Sequence, residues 1–356
     1  MRKWIPAAIA ITALGLHCGG GSERGAAPAL DAGSSSDAGA SSDGQSPHDG
    51  GSPRSDSGGS SSSGGGLHDG GGSHDAGSQD AGGSSGPGVV VDVTNDCPFD
   101  LWIHAAGKEA TLQPDNVHLA PGSSQKYSAP FTWSSARVYA YFEAPDSSGN
   151  PRGQNDKVEA SFYVQNGSEY LNTDITYVDW VALPSQIQTL GTGSDCTTVG
   201  CDAPSASLLQ GCPASLLSGH ECLSAGYYCL TTSNPGDPYC HALDSQIAAC
   251  ASEYAACAGA TGSTTAEVYS CSGGFFGGNP EYCAALNRGV LATPAASTPS
   301  SAFYQAPPFD TYSQWVHQKC PGIYAFPYDD YGSSNQSSDH TCTGATQMNV
   351  TFCPKG

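Results

Sequence analysis

Positive charge is scarce in this chain: 12 Lys and Arg stand against 33 Asp and Glu in 356 residues, a formal net charge of -21. With so few cations to meet phosphates, nucleic-acid binding is excluded as a main role. Long apolar runs are missing too. The candidate at the start, Trp4 to Leu16, is shorter than the ~20 residues a bilayer-spanning helix needs. No two cysteines are spaced C-x-x-C, which argues against a zinc site, and no metal or other cofactor is implied. From Val89 onward the sequence lacks G-x-S-x-G, H-E-x-x-H and a Gly-rich phosphate loop after a strand. Serine-hydrolase, zinc-protease and nucleotide-enzyme signatures are therefore absent there. Nothing in the sequence suggests more than a monomer.

What the chain does have is glycine, serine and cysteine. Arg2 and Lys3, the short apolar run and Cys18-Gly-Gly-Gly read as an export signal over residues 1–18. Cys18 resembles the lipidated cysteine of bacterial lipoproteins, although Gly15 and His17 depart from that pattern. The expectation is an exported protein, held at an outer membrane or cell surface through lipid on Cys18, or else secreted. Setting Cys18 aside from the 15 cysteines leaves an even number, all between Cys97 and Cys353, which suits complete disulfide pairing. Residues 19–88 are Gly, Ser, Ala and Asp with recurring DAG and HDG, too poor in apolar groups to offset the entropy of ordering. They read as a flexible tether whose ends would stand about 45 Å apart. His48, His68 and His74 each precede an Asp there and read as solvated pairs.

The domain proper is expected over residues 89–356. Its first hundred residues alternate short apolar runs with turn signals: VVVDV, LWIHA, VHLAPGSSQKY, ARVYAYF, VEASFYV and ITYVDWVAL. That spacing predicts an all-β sandwich or barrel. Residues 196–283 are dense in cysteine, and ALDSQIAACASEYAACA predicts a helix carrying Cys250 and Cys257 on one face. Asn166, Asn335 and Asn349 head Asn-x-Ser/Thr sequences, relevant only in a glycosylating host.

Within KVEASFYVQNGSEYLNTDITYVDWVAL, Glu159 and Asp174 lie on strand-like sequence separated by the turn-like QNGSE. Glycoside hydrolysis needs one protonated carboxyl and one carboxylate, ~6.5–9.5 Å apart when the mechanism inverts. Neighbouring strands ~4.8 Å apart can supply that spacing. Asp179 lies at an odd offset from Asp174, so both face one side only if the chain bends between them. The bland alternative is that these acids cap strands or turns. Tyr139, Tyr163, Tyr177, Trp180 and Tyr328 are candidates for sugar contacts, set against the commoner role of strand aromatics as core.

Four blocks in order carry a resemblance: VVVDVTNDCPFDLWIHA, ITYVDWVALP with the acids before it, DCTTVGC with GCPASL, and CPGIYAFPYDD followed by Cys342 and MNVTFCP. Together they resemble thaumatin-like proteins and the laminaripentaose-producing β-1,3-glucanases of glycoside hydrolase family 64. The resemblance implies a thaumatin-like β-sandwich with a disulfide-rich second lobe. It pairs Cys97 with Cys353, Cys196 with Cys342 and Cys201 with Cys320, leaving the other eight cysteines unassigned. It makes Glu159 the general acid and Asp174 the general base, with Asp179 and one of Asp329 and Asp330, preferably Asp330, completing an acidic groove. The groove's usual Arg aligns with Tyr141, a candidate sugar-binding residue, and Arg137 or Arg152 would have to substitute for the missing cation. The function implied is β-1,3-glucan hydrolysis; the alternatives are a non-catalytic module binding β-1,3-glucan or another wall polysaccharide, and a defence or toxin-like protein.

Overall fold

The computed structural model describes residues 88–201, 203–232, 234, 236–253, 267, 271, 280–290, 300–305, 310–331 and 339–355. The export signal, Cys18 and the tether up to residue 87 lie outside the described residues, as do Cys257 and the end of the expected helix.

Alternation of apolar and polar residues builds the first strands. β1 (Val89–Asn95) buries every second residue, and β2 (Leu101–Ala106) follows the same pattern. VHLAPGSSQKY divides at Pro121-Gly122, where Gly122 takes a positive φ, into β3 (Val117–Leu119) and β4 (Ser124–Ala129). β5 (Ala136–Glu143), β6 (Arg152–Gln165) and β7 (Ser168–Ile175) follow as a meander. The short β8 (Trp180–Val181), then β9 (Ser185–Gly191), β10 (Thr198–Gly200), β11 (Leu217–Ser218), β12 (Glu221–Leu223), β13 (His340–Thr343) and β14 (Ala345–Phe352) complete the strands described.

They form a five-stranded sheet, β10-β9-β14-β1-β4, and a six-stranded sheet, β13-β7-β6-β5-β2-β3. β1 and β14 pair in parallel at the centre of the first. The core contains Val91, Val93, Met348 and Val350 of the first sheet with Val138, Val158, Phe162 and Leu171 of the second. This is the expected all-β, thaumatin-like sandwich.

A second lobe carries the three-stranded sheet β11-β12-β8 and short helices: α1 (Ala225–Thr231), α2 (Pro238–Glu253), α3 (Pro280–Asn287) and α4 (Thr311–Lys319). The expected helix thus begins earlier, at Pro238. Cys97 is joined to Cys353, Cys196 to Cys342 and Cys201 to Cys320. Cys212–Cys222, Cys229–Cys240 and Cys271–Cys283 lie within the lobe.

One strand expectation is corrected. ITYVDWVAL is not continuous: β7 ends at Ile175, and β8 belongs to the lobe's sheet through pairing with β12. The cause is a buried carboxylate. Asp156 on β6 accepts hydrogen bonds from the backbone N–H of Ala182 and Leu183, drawing the chain away from the line of β7. Tyr177, fully buried, donates to the Leu183 carbonyl at 2.6 Å, so it is core rather than a sugar contact.

Candidate active site

The hairpin between β6 and β7 sets the geometry. Asn166 and Gly167 both have positive φ, the requirement of a two-residue type I′ turn. Gln165 and Ser168 close that turn as a pair, and counting six residues back along each strand brings Glu159 opposite Asp174. On the other side of β6, Arg137 of β5 stands opposite Glu159. Arg137, Glu159 and Asp174 therefore form one row across three strands on the half-buried face, because directly opposed residues share a face.

Charge within this row is unevenly held. Arg137 donates from Nε to Glu159 Oε1 at 2.9 Å. Asp174, though part of its surface is exposed, is crowded by protein, and its carboxyl lies well above the usual range. Burial is the main cause, with the negative charges of Glu159 and Asp339 adding to it. Of the two candidate arginines, Arg137 is the one that pairs with Glu159. Arg152 is turned elsewhere, donating to the Ala144 carbonyl.

The next row along the face holds His104, Tyr139 and Lys157, and the one after it Trp102, Tyr141 and Asn155. Tyr141 lies four residues from Arg137, about 13 Å along the strand. Its hydroxyl is pushed up to about 12 by burial and by Tyr139. Its ring lies 5.8 Å from that of Tyr139. Lys157 donates to Asp179 at 2.7 Å and lies 5.7 Å from the Trp180 ring. Asp179 reaches this face because it sits in the bend between β7 and β8. Its carbonyl also accepts from Ser224 N–H, and the Ser224 side chain caps α1 by accepting from Tyr227 N–H. That places Tyr227 edge-on to Trp180, with ring centres 4.8 Å apart.

Two distant segments close the acidic end. Tyr324 N–H donates to the Ile175 carbonyl, and Tyr177 N–H donates to the Tyr324 carbonyl. Burial and the charges of Asp330 and Asp174 raise the Tyr324 hydroxyl. The FPYDD pair divides sharply. Asp330 is exposed, with its charge felt at Tyr324 and Asp339, whereas Asp329 is fully buried and accepts from His317 at 2.7 Å. Tyr328 is half-buried beside them.

Lys157, Asp339 and Glu221 were not singled out from sequence. Asp339, just before β13, is raised chiefly by burial and acts on Asp174. Glu221 on β12 is pushed up to about 7 by burial. The strand character of β6 put Lys157 on the Glu159 face two residues away, a signal that was legible. Asp339 and Glu221 reach the region only through long-range pairing. Among the described residues no cluster of three or more His, Cys, Asp or Glu is arranged to hold a metal ion.

Comparison with known proteins places this geometry in context. Residues 231–352 match the family model described as beta-1,3-glucanase. That span holds most of the second lobe and the closing strands, and not the β6–β7 hairpin. Over 74% of this chain and 90% of its own length, a pathogenesis-related thaumatin-like protein of Cryptomeria japonica is 25% identical. A glucan endo-1,3-beta-glucosidase of Prunus avium is 23% identical over 74% of this chain and 90% of its own. The crystal structure of a beta-1,3-glucanase domain from Clostridium beijerinckii superposes with a TM-score of 0.54 at 19% identity, covering 75% of this chain and 98% of that one. The chain is similar to thaumatin-like proteins and to family 64 β-1,3-glucanases, and it carries their fold.

Proposed function

We propose that this chain is an exported β-1,3-glucan hydrolase in which Glu159 and Asp174 form an inverting acid–base pair. The observation that carries the reading is their direct opposition on β6 and β7, with Arg137 against Glu159. Directly opposed residues have Cβ atoms about 4.5–5.5 Å apart, which is tight for an attacking water. Arg137 stands on β5, on the side of Glu159 away from β7, and holds the Glu159 carboxylate toward β5. An inverting mechanism uses a carboxyl separation of ~6.5–9.5 Å.

Chemically, one carboxyl gives its proton to the glycosidic oxygen as the C1–O bond breaks. The other takes a proton from the water that attacks C1 from the opposite face. In the free protein Asp174 is the carboxyl of the pair that holds its proton more tightly than usual, because burial and the charges of Glu159 and Asp339 raise it. The resemblance gives the acid role to Glu159. That role requires the proton to pass to Glu159 when the substrate enters; without such a transfer Asp174 is the acid and Glu159 the base.

The test is reducing-sugar release from soluble β-1,3-glucan by the oxidised full chain, beside Glu159→Gln and Asp174→Asn. Each variant should lose about 10²–10⁴-fold in rate, the usual worth of a positioned acid or base. The variant that recovers on a substrate with an activated leaving group identifies the acid, and the one rescued by azide identifies the base. Full activity in both variants would sink the assignment.

A second reading rests on the ion pairs themselves. Glu159 is matched by Arg137 and Asp179 by Lys157, a nearly neutral face that could bind glucan without cutting it. Retained glucan binding without sugar release in the parent would select it. Export is part of the proposal, with residues 1–18 as the signal, Cys18 as the lipid site and residues 19–88 as the tether.

A further inference from the structure

The β6–β7 register that sets Glu159 against Asp174 continues beyond them. Ser161 stands opposite Asn172, and Tyr163 opposite Tyr170, where the rings stack at 5.3 Å with planes 13° apart. These rows lie on the same face as the acids, since they are two and four residues on. Tyr163 is exposed and Tyr170 half-buried, so the pair presents aromatic surface to solvent rather than to the core. The two rows between the acids and the turn carry no charged side chain of β6 or β7. Four residues at about 3.3 Å each put Tyr163 about 13 Å from Glu159. A single sugar ring at the acids does not reach that far, but an extended oligosaccharide does.

We infer that Tyr163 and Tyr170 form a remote sugar-binding platform, gripping a β-1,3-glucan chain several residues from the bond that is cut. The inference rests on the proposed function. Aromatic rings match the apolar faces of a pyranose, and the tyrosine hydroxyls with Asn172 and Ser161 suit its hydroxyls. Asp339 borders these rows, hydrogen-bonded to Asn172 and with its charge felt at Tyr163, and adds a carboxyl acceptor for a sugar hydroxyl. The other face of the hairpin is unsuited to this, because its alternate residues, Phe162 and Leu171, are buried in the sandwich.

The experiment measures binding by the oxidised full chain carrying Glu159→Gln, which holds substrate intact. The ligands are a trisaccharide and a hexasaccharide of β-1,3-linked glucose. Adding Tyr163→Ala with Tyr170→Ala should weaken the hexasaccharide about tenfold, roughly the loss of one stacked ring, and leave the trisaccharide unchanged. Tyr163→Ser alone, at an exposed position, should keep the parent's melting temperature and show the same length-dependent loss. Unchanged hexasaccharide affinity overturns the platform while leaving the proposed function standing. Equal loss for both ligands overturns it as well. If the Glu159→Gln chain binds neither ligand, the glucan reading itself fails and the platform falls with it.

Discussion

Asp174 is enclosed by neighbours, and the charges of Glu159 and Asp339 add to that burial against the opposing cations Lys157 and Arg137, so it holds its proton more tightly in the folded chain than in the unfolded one. The sign of the consequence follows from linkage. Below about pH 4, near the ordinary carboxylate value, both states are protonated and Asp174 costs nothing. As pH rises past that value the unfolded chain releases the proton first, and stability falls until the folded group ionises too. Asp174→Asn removes this penalty. Urea melts should show the variant level with the parent at pH 3.5 and more stable at pH 7, while activity is lost. A structural aspartate gives the opposite pattern. Asp329 differs in its contacts: it accepts from His317 and from the Ala325 N–H and lies beside the buried Arg288, so its carboxyl is built into the fold. Its neighbour in the same motif, Asp330, is exposed instead, and no local pattern around the two announces which is buried.

At the scale of the element, the Asn166-Gly167 turn does more than connect two strands, because the pairing it starts is the pairing that opposes Glu159 and Asp174. Gly167 has φ +78 and open space around its Cα, so a side chain there meets only backbone strain. Gly167→Val should cost about 1–2 kcal/mol. Gly149→Val is the control, since Gly149 also has a positive φ with nothing near but belongs to the Asp146–Asn150 turn. Both variants should lose similar stability in denaturant melts, and only the first should lose activity at a temperature where both remain folded. Equal activity loss would detach the turn from the site. The strands themselves were legible in sequence, since their apolar alternation follows from facing a core. The row Arg137–Glu159–Asp174 was legible only in part, because periodicity gives the face of each residue and not its partner across the sheet. Asp179 needed a bend that Asp156 imposes from another strand, a contact no window of sequence contains.

At the scale of the molecule, the site depends on closure of the chain over long distances. Cys97 lies just after β1 and Cys353 just after β14, a separation of 256 residues, and their bond joins the ends of the two parallel central strands. Resemblance implied this pair; nothing in the local sequence of either cysteine does. Within the same sheet β9 runs beside β14, and β13 continues through a single glycine turn, Gly344, into β14. β13 in turn pairs with β7, so Asp339 at its start is brought to Asp174 by the closing strands. Chain entropy makes a cross-link of this length worth about 5 kcal/mol, acting on the unfolded state. Replacing both cysteines by Ser should therefore lower unfolding free energy by about that much. Because the bond acts mainly on the unfolded chain, the folded variant should keep its rate on β-1,3-glucan at low temperature. A stability loss together with a lowered rate at low temperature would instead make the bond a positioning element, holding β14, and through it β13 and Asp339, against the acid pair.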